Sequence, residues 1–160
     1  MNNRNLTELF LKASSIEKKK LVNHLLHIFS STNDMFERNE IAFFFSDNNI
    51  EEGISRVIGA SLDPGLRKEC GSLIYALSEN SNISLTLSQL LGYVEIVAEG
   101  HFEASHESFL LIEQHLDNLS SSDISQLREK ASDHASNNCK NKDLILDFID
   151  VLDEYLTESK

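Results

Sequence analysis

Apolar residues recur along this chain at steps of three and four rather than alternating, the spacing that lays one hydrophobic stripe along a helix. Leu6, Leu9, Phe10 and Ala13 make a short first stripe. Leu21, Val22, Leu25, Leu26 and Phe29 make a second, opened by Ser14-Ser15-Ile16-Glu17, whose first and last residues have the chemistry of a capping box. Asn33-Asp34 caps a third through Phe36, Ile41, Phe44 and Phe45. The run Ser46-Asp47-Asn48-Asn49 ends it, because these short polar side chains compete for backbone hydrogen bonds. A fourth helix is predicted over about residues 50–61. Asp63-Pro64 puts a capping acid before a proline whose missing N–H costs nothing at the first helical position. A fifth helix is therefore predicted from there through Leu66, Cys70, Leu73, Ile74 and Leu77. The sixth, from about 85 to 99, buries Leu87, Leu90, Leu91, Val94 and Val97, and the seventh runs from about 104 to 119 beyond the turn at Gly100-His101. Ser120 to Asp123 caps an eighth helix with Ile124, Leu127, Ala131 and Ala135. The polar break Asn137 to Asn141 precedes a ninth with Leu144, Phe148, Val151, Leu152 and Tyr155.

A single proline and six glycines leave strands and tight hairpins without their usual turn chemistry, so the fold is predicted to be all-α. The 160 residues fit one domain, 1–160, large enough to bury a continuous core. The predicted fourth, sixth and eighth helices start near residues 49, 85 and 122, and the fifth, seventh and ninth near 64, 104 and 142. A two-helix unit recurring at that interval, roughly 40 residues, suits an α-solenoid whose hairpins each bury an open face against the next. The expected architecture is a short α-α superhelix of about nine helices, with a compact helical bundle as the alternative.

One unit carries residues to match. Between Ile50 and Leu77 the order is an apolar helix, the Asp63-Pro64 turn, Arg67, the small residue Cys70 and a second apolar helix. This resembles a HEAT repeat. In that family the turn aspartate and the following arginine form ladders between units, and the resemblance implies that Asp63 and Arg67 are structural. The later joints, Gly100-His101-Phe102 and Asn137 to Lys140, have neither the Asp-Pro pair nor the arginine.

Charge changes the picture most. Residues 1–32 carry +3 and residues 33–160 carry −15, within a net charge of −12. From Glu69 to Leu127 there are nine acids and no Lys or Arg, although exposed acidic helices normally interleave lysine. Glu95, Glu99, Glu103 and Glu107 fall four apart, the first two on one helix and the last two on the next. Asp143, Asp147, Asp150 and Glu154 line one face of the ninth helix. Like charges so spaced destabilise a helix by tenths of a kcal/mol per pair. A basic protein partner would compensate, whereas nucleic acid and anionic membrane would be repelled. These eight acids are the candidate partner-binding residues; the bland alternative is a solvated face that maintains solubility.

Candidate chemistry is sparse. His24 and His27 lie three apart, and His101 and His106 flank Glu103 beside Glu107, but neither set has a zinc-site spacing, and no metal or cofactor is expected. Cys70 falls on a buried helix face and Cys139 in a polar turn, neither in the setting of a nucleophile, so the chain is read as a binding protein rather than an enzyme. Lys18-Lys19-Lys20 follows Glu17 on a helix with an apolar opposite face and reads as solvated surface. Phe43, Phe44 and Phe45 cannot all face inward, so one should meet a neighbouring helix or a partner. The longest apolar runs fall far short of the roughly 20 residues of a membrane span. The first residues are not signal-like and the two cysteines form no CxxC pair, so a cytoplasmic setting is expected.

The richness in Asn, Ser, Lys and Ile with one proline resembles horizontally acquired bacterial genes. Small acidic helical proteins of this kind, HEAT-like ones included, are similar to immunity proteins that neutralise a cognate toxin, as in contact-dependent growth inhibition. That resemblance of type implies capture of a basic, nuclease-like toxin domain at the acidic surface. A HEAT-like scaffold or adaptor holding a basic or helical peptide remains open, as does an enzyme centred on His101, His106 and the nearby glutamates.

Overall fold

Side chains that stand in for the amide partners missing from a first turn fix four of the helix starts. Ser14 accepts from Glu17 N while the Glu17 carboxylate takes Ser14 N at 2.9 Å. Thr86 with Gln89 and Ser120 with Asp123 form two more reciprocal boxes, and Asp34 accepts from Phe36 N and Glu37 N. These caps open α2 (Ser15–Ser31), α3 (Met35–Asp47), α6 (Leu87–Glu99) and α8 (Ser121–Ser136). The others are α1 (Asn3–Lys12), α4 (Glu51–Ser61), α5 (Gly71–Ser78), α7 (Phe102–Glu113) and α9 (Lys142–Glu158). The computed structural model describes residues 3–67 and 70–158, so residues 1, 2, 68, 69, 159 and 160 lie outside the described residues, Glu69 of the lysine-free and arginine-free stretch among them. Among the described residues the fold is all-α, with nine α-helices and no strand.

Two helices depart from their predicted extents. The helix expected from Pro64 is instead a separate 3-10 turn, Pro64–Leu66, with α5 beginning at Gly71. Asp63 Oδ1 accepts from Gly65 N at 2.8 Å and Asp63 O from Leu66 N at 3.0 Å, which commits these residues to the tighter turn. The predicted seventh helix to 119 starts at Phe102 and stops at Glu113, and Leu116–Asn118 form a second 3-10 turn. There the His115 ring takes the Leu111 carbonyl at 2.8 Å, so the His115 amide bonds to Ile112 O, three residues back. Asn49 and Asn138, after α3 and α8, take left-handed φ values of 51° and 56°, which asparagine tolerates better than most residues.

The helices pack as consecutive hairpins, α2 with α3, α4 with α5, α6 with α7 and α8 with α9. The second helices contact in series, α3 to α5 to α7, and α6 lies against α8. Every principal contact joins helices no more than three apart in the chain. Phe44 and Phe45 are fully buried, meeting Phe10 and Phe29, while the half-buried Phe43 meets Tyr75 of α5 at 5.8 Å. The expectation that one of the three would turn to a neighbouring helix therefore holds.

Polar joints stitch one hairpin to the next. Asn80 Nδ2 donates to Ser46 O and Asn49 Oδ1 at 2.8 and 3.0 Å, tying the end of α5 to the end of α3. Inside the core Ser61 donates to Ile58 O, so the Tyr93 hydroxyl donates to Ser61 Oγ at 2.7 Å, and burial holds that phenol well above its ordinary pKa. His115 Nε2 faces Ile83 O at 3.0 Å. The next joint underlies the acidic surface.

Candidate partner-binding surface

The eight acids are not equivalent once folded. Glu95 on α6 lies between Lys130 of α8 at 2.8 Å and Arg67 at 3.2 Å, and its hydrogen bond to Lys130 holds its carboxyl below the usual glutamate value despite partial burial. Arg67 thus reaches across to the next hairpin, whereas Asp63 stays within its own turn. Glu99, the last residue of α6, is exposed. Glu103 is exposed in the first turn of α7 and lies over Gly71, where an added Cβ would come within 2.9 Å of its Cδ. Glu107 is half-buried and accepts from Ser78 Oγ at 3.3 Å.

On α9 the arrangement is different. Asp143, Asp147, Asp150 and Glu154 are all exposed, and none has a cation within ion-pair reach among the described residues. Asp153, one position before Glu154, is held by both Nε and Nη2 of Arg128, which lowers its carboxyl and raises the guanidinium. The helix therefore neutralises the acid facing α8 and leaves the outward stripe charged. Asp143 sits in the first turn, where the helix dipole favours a negative charge.

Of the eight acids only Asp143 lines the space between the first turns of α7 and α9. A groove of about 380 Å³ lies there, lined by Phe102, Ser105, His106, Lys140, Asn141, Lys142, Asp143 and Leu144. Phe102 is 86% exposed, more than any other large apolar side chain described, and its ring stacks on His106 at 6.2 Å and 4°. The floor is rigid. Asn141 Nδ2 lies 2.9–3.1 Å from Val97 O, Gly100 O and Ser105 Oγ, its amide N donates to Ala98 O, and Lys140 Nζ donates to Gly100 O at 2.8 Å. Gly100 is needed for closeness: a Cβ there would sit 2.5 Å from Ile96 O and 2.7 Å from Ser105 Oγ. Beneath, Phe109 and Phe148 meet edge to face at 5.3 Å.

Neither Phe102 nor Asn141 was singled out by the sequence pattern. The one local signal for Phe102 is an aromatic directly after a Gly-His turn, outside any apolar stripe. A larger cavity of about 750 Å³ opens between α2, α3 and α4, lined by Arg38, Arg56, Glu52 and Asp63 among others. Its mixed charges favour no one sign of ligand, and none of the eight acids lines it. His24, His27, His101 and His106 are exposed, and among the described residues no three His, Cys, Asp or Glu side chains converge as a metal site. Cys70 and Cys139 are free and buried, and burial pushes both thiols up, away from the reactive thiolate. No described helix is long and apolar enough to cross a membrane. No family model, curated protein or solved structure matches the chain.

Proposed function

We propose that this protein is a HEAT-like immunity protein that captures a basic, nuclease-type toxin domain on the acidic face of α9 and the adjoining end of α7, and thereby neutralises it. The observation that carries this reading is the α9 stripe. Asp143, Asp147, Asp150 and Glu154 are exposed without cations among the described residues, although α8 supplies Arg128 to the neighbouring Asp153. A folded chain able to pair one acid of the helix and leaving four together accepts a repulsive cost that a basic partner removes. The same field steers a cationic domain toward the stripe and speeds encounter, and repels nucleic acid and anionic lipid. Consecutive hairpins stitched at their joints supply a stiff platform, so little order has to be gained on binding.

A HEAT-type adaptor that holds a basic peptide is the second reading, and the groove beside Phe102 favours it, since an adaptor needs an apolar recess next to its acids. The two differ in consequence: an immunity protein abolishes the activity of what it binds.

The test is a triple charge reversal, Asp147→Lys with Asp150→Lys and Glu154→Lys, applied to a partner recovered from native cells. Association at low salt should slow on the order of tenfold or more, and its salt dependence should flatten, with far-ultraviolet circular dichroism unchanged. Cells expressing the partner should be protected by the native chain and not by the variant. Capture that survives reversal with its salt dependence intact would overturn the proposal.

A further inference from the structure

The first and last hairpins of the series carry opposite charge on their exposed faces. On the first, α2 turns Ile16, Lys19, Lys20, Asn23 and His27 to solvent, and none of its lysines joins an ion pair among the described residues. Lys18 lies instead over the Phe10 ring at 5.0 Å. Ile16, with Leu9 and Leu11 of α1, is 65–69% exposed, although the outer face of a terminal hairpin is ordinarily polar because no further hairpin covers it. On the last hairpin stands the acid stripe of α9, with the exposed Leu146 among its carboxylates. Neither α1 nor α2 shares a principal contact with α8 or α9, so the basic and acidic faces do not meet within one molecule.

We infer that the basic face of α2 docks on the acidic stripe of α9 of a second copy, so that the protein self-associates end to end. Charge complementarity carries the inference: residues 1–32 hold +3 and residues 33–160 hold −15, and the exposed stripe of α9 lacks cations. Dimensions match as well. Both helices have 17 residues, about 25 Å at the helical rise, so one can lie along the other. Ile16, Lys20, Asn23 and His27 fall at i, i+4, i+7 and i+11, the same steps as Asp143, Asp147, Asp150 and Glu154. An anionic membrane would also suit a basic end with exposed leucines, but it repels the rest of the chain, whereas a second copy brings the matching stripe. The net charge of −12 on each copy opposes approach, which makes the contact weak and transient rather than obligate. Because the two faces differ, each contact leaves one of each kind free and the assembly extends as an open chain. A paired copy hides its α9 stripe, so a captured partner would displace it.

Sedimentation of the full-length protein, followed up to the millimolar range, should show a weight-average mass that rises with concentration past that of a dimer. Lys19→Glu with Lys20→Glu should hold it monomeric with an unchanged thermal melt, since both side chains are exposed. The triple reversal on α9 should do the same. Placement is read by nuclear magnetic resonance, mixing isotope-labelled protein with an unlabelled copy that carries a nitroxide on Asn23→Cys, the native Cys70 and Cys139 being buried. Amides of residues 143–154 should broaden, and those of the labelled α2 should not. A monomer at every concentration, native-like association of the Lys19–Lys20 variant, or broadening centred on α2 would each overturn the inference. Binding of a monomeric chain to phosphatidylglycerol vesicles would overturn it too, in favour of lipid. Partner capture fails separately. If the native chain is monomeric and the α9 reversal still loses its partner, only self-association falls; if reversal abolishes self-association and spares capture, only the capture reading falls.

Discussion

Asn141 shows what a single amide can hold. Its Nδ2 lies within hydrogen-bond distance of the carbonyls of Val97 and Gly100 and the hydroxyl of Ser105. Truncation to alanine removes those contacts and strands partly buried acceptors, so Asn141→Ala should cost about 1–3 kcal/mol in equilibrium urea unfolding. Gly100→Ala should be at least as harmful for a different reason, since its Cβ would meet the Ile96 carbonyl at 2.5 Å and shift the turn that carries Phe102. At Glu95 the effect is on pH. Its folded carboxyl lies below the ordinary 4.5, chiefly through the Lys130 hydrogen bond. A depressed acid stabilises the fold while ionised, so this contribution is fully present above about pH 4.5 and is lost as pH falls through the lower folded value. Glu95→Gln should therefore flatten the acid limb of the stability profile. The change should be no more than about 1 kcal/mol, because solvent screens a side chain 39% exposed.

At the scale of the element, α9 separates stability from function. Asp147 is i+4 from Asp143 and i−3 from Asp150, both repulsive spacings, and Asn matches Asp in shape and closely in helix propensity. Asp147→Asn should raise stability by about a few tenths of a kcal/mol at low salt, a gain that vanishes at high salt, while weakening partner capture. Opposite signs in the two measurements would mark the acid as kept for binding; a loss in both would mark it as structural. Helix starts show how far local sequence carries. The Ser14–Glu17 box and the Ser120 to Asp123 cap were legible because every participant lies within four residues. Thr86 with Gln89 is chemically the same box and equally local, and the predicted start near residue 85 lies two residues before the observed one at Leu87. The Asp63-Pro64 signal correctly marked a start, but the Asp63 side chain's bond to Gly65 N made it a 3-10 turn rather than the first turn of α5.

Over the whole molecule, the order of packing follows the order of the chain, since each principal contact joins helices close in sequence. Core loss should accordingly be felt locally before it is felt globally. Phe44→Ala, which empties a fully buried site against Phe10, should cost about 3–5 kcal/mol, and hydrogen exchange should show it first in α1 and α3. By itself the sequence determined the all-α class, the approximate extent of most helices and the sign of the surface, because periodicity, caps and charge are local or additive properties. Only the tertiary structure decided which acids are free. Glu95 is paired by Lys130, 35 residues away, and Asp153 by Arg128, 25 away, while the outward stripe of α9 keeps its charge. Only the tertiary structure, too, set Phe102 beside Asp143, because that meeting depends on a joint of α8 and α9 bonding to a joint of α6 and α7. Such long-range pairing depends on which surfaces fit once the cores are packed, and no local pattern of residues encodes it.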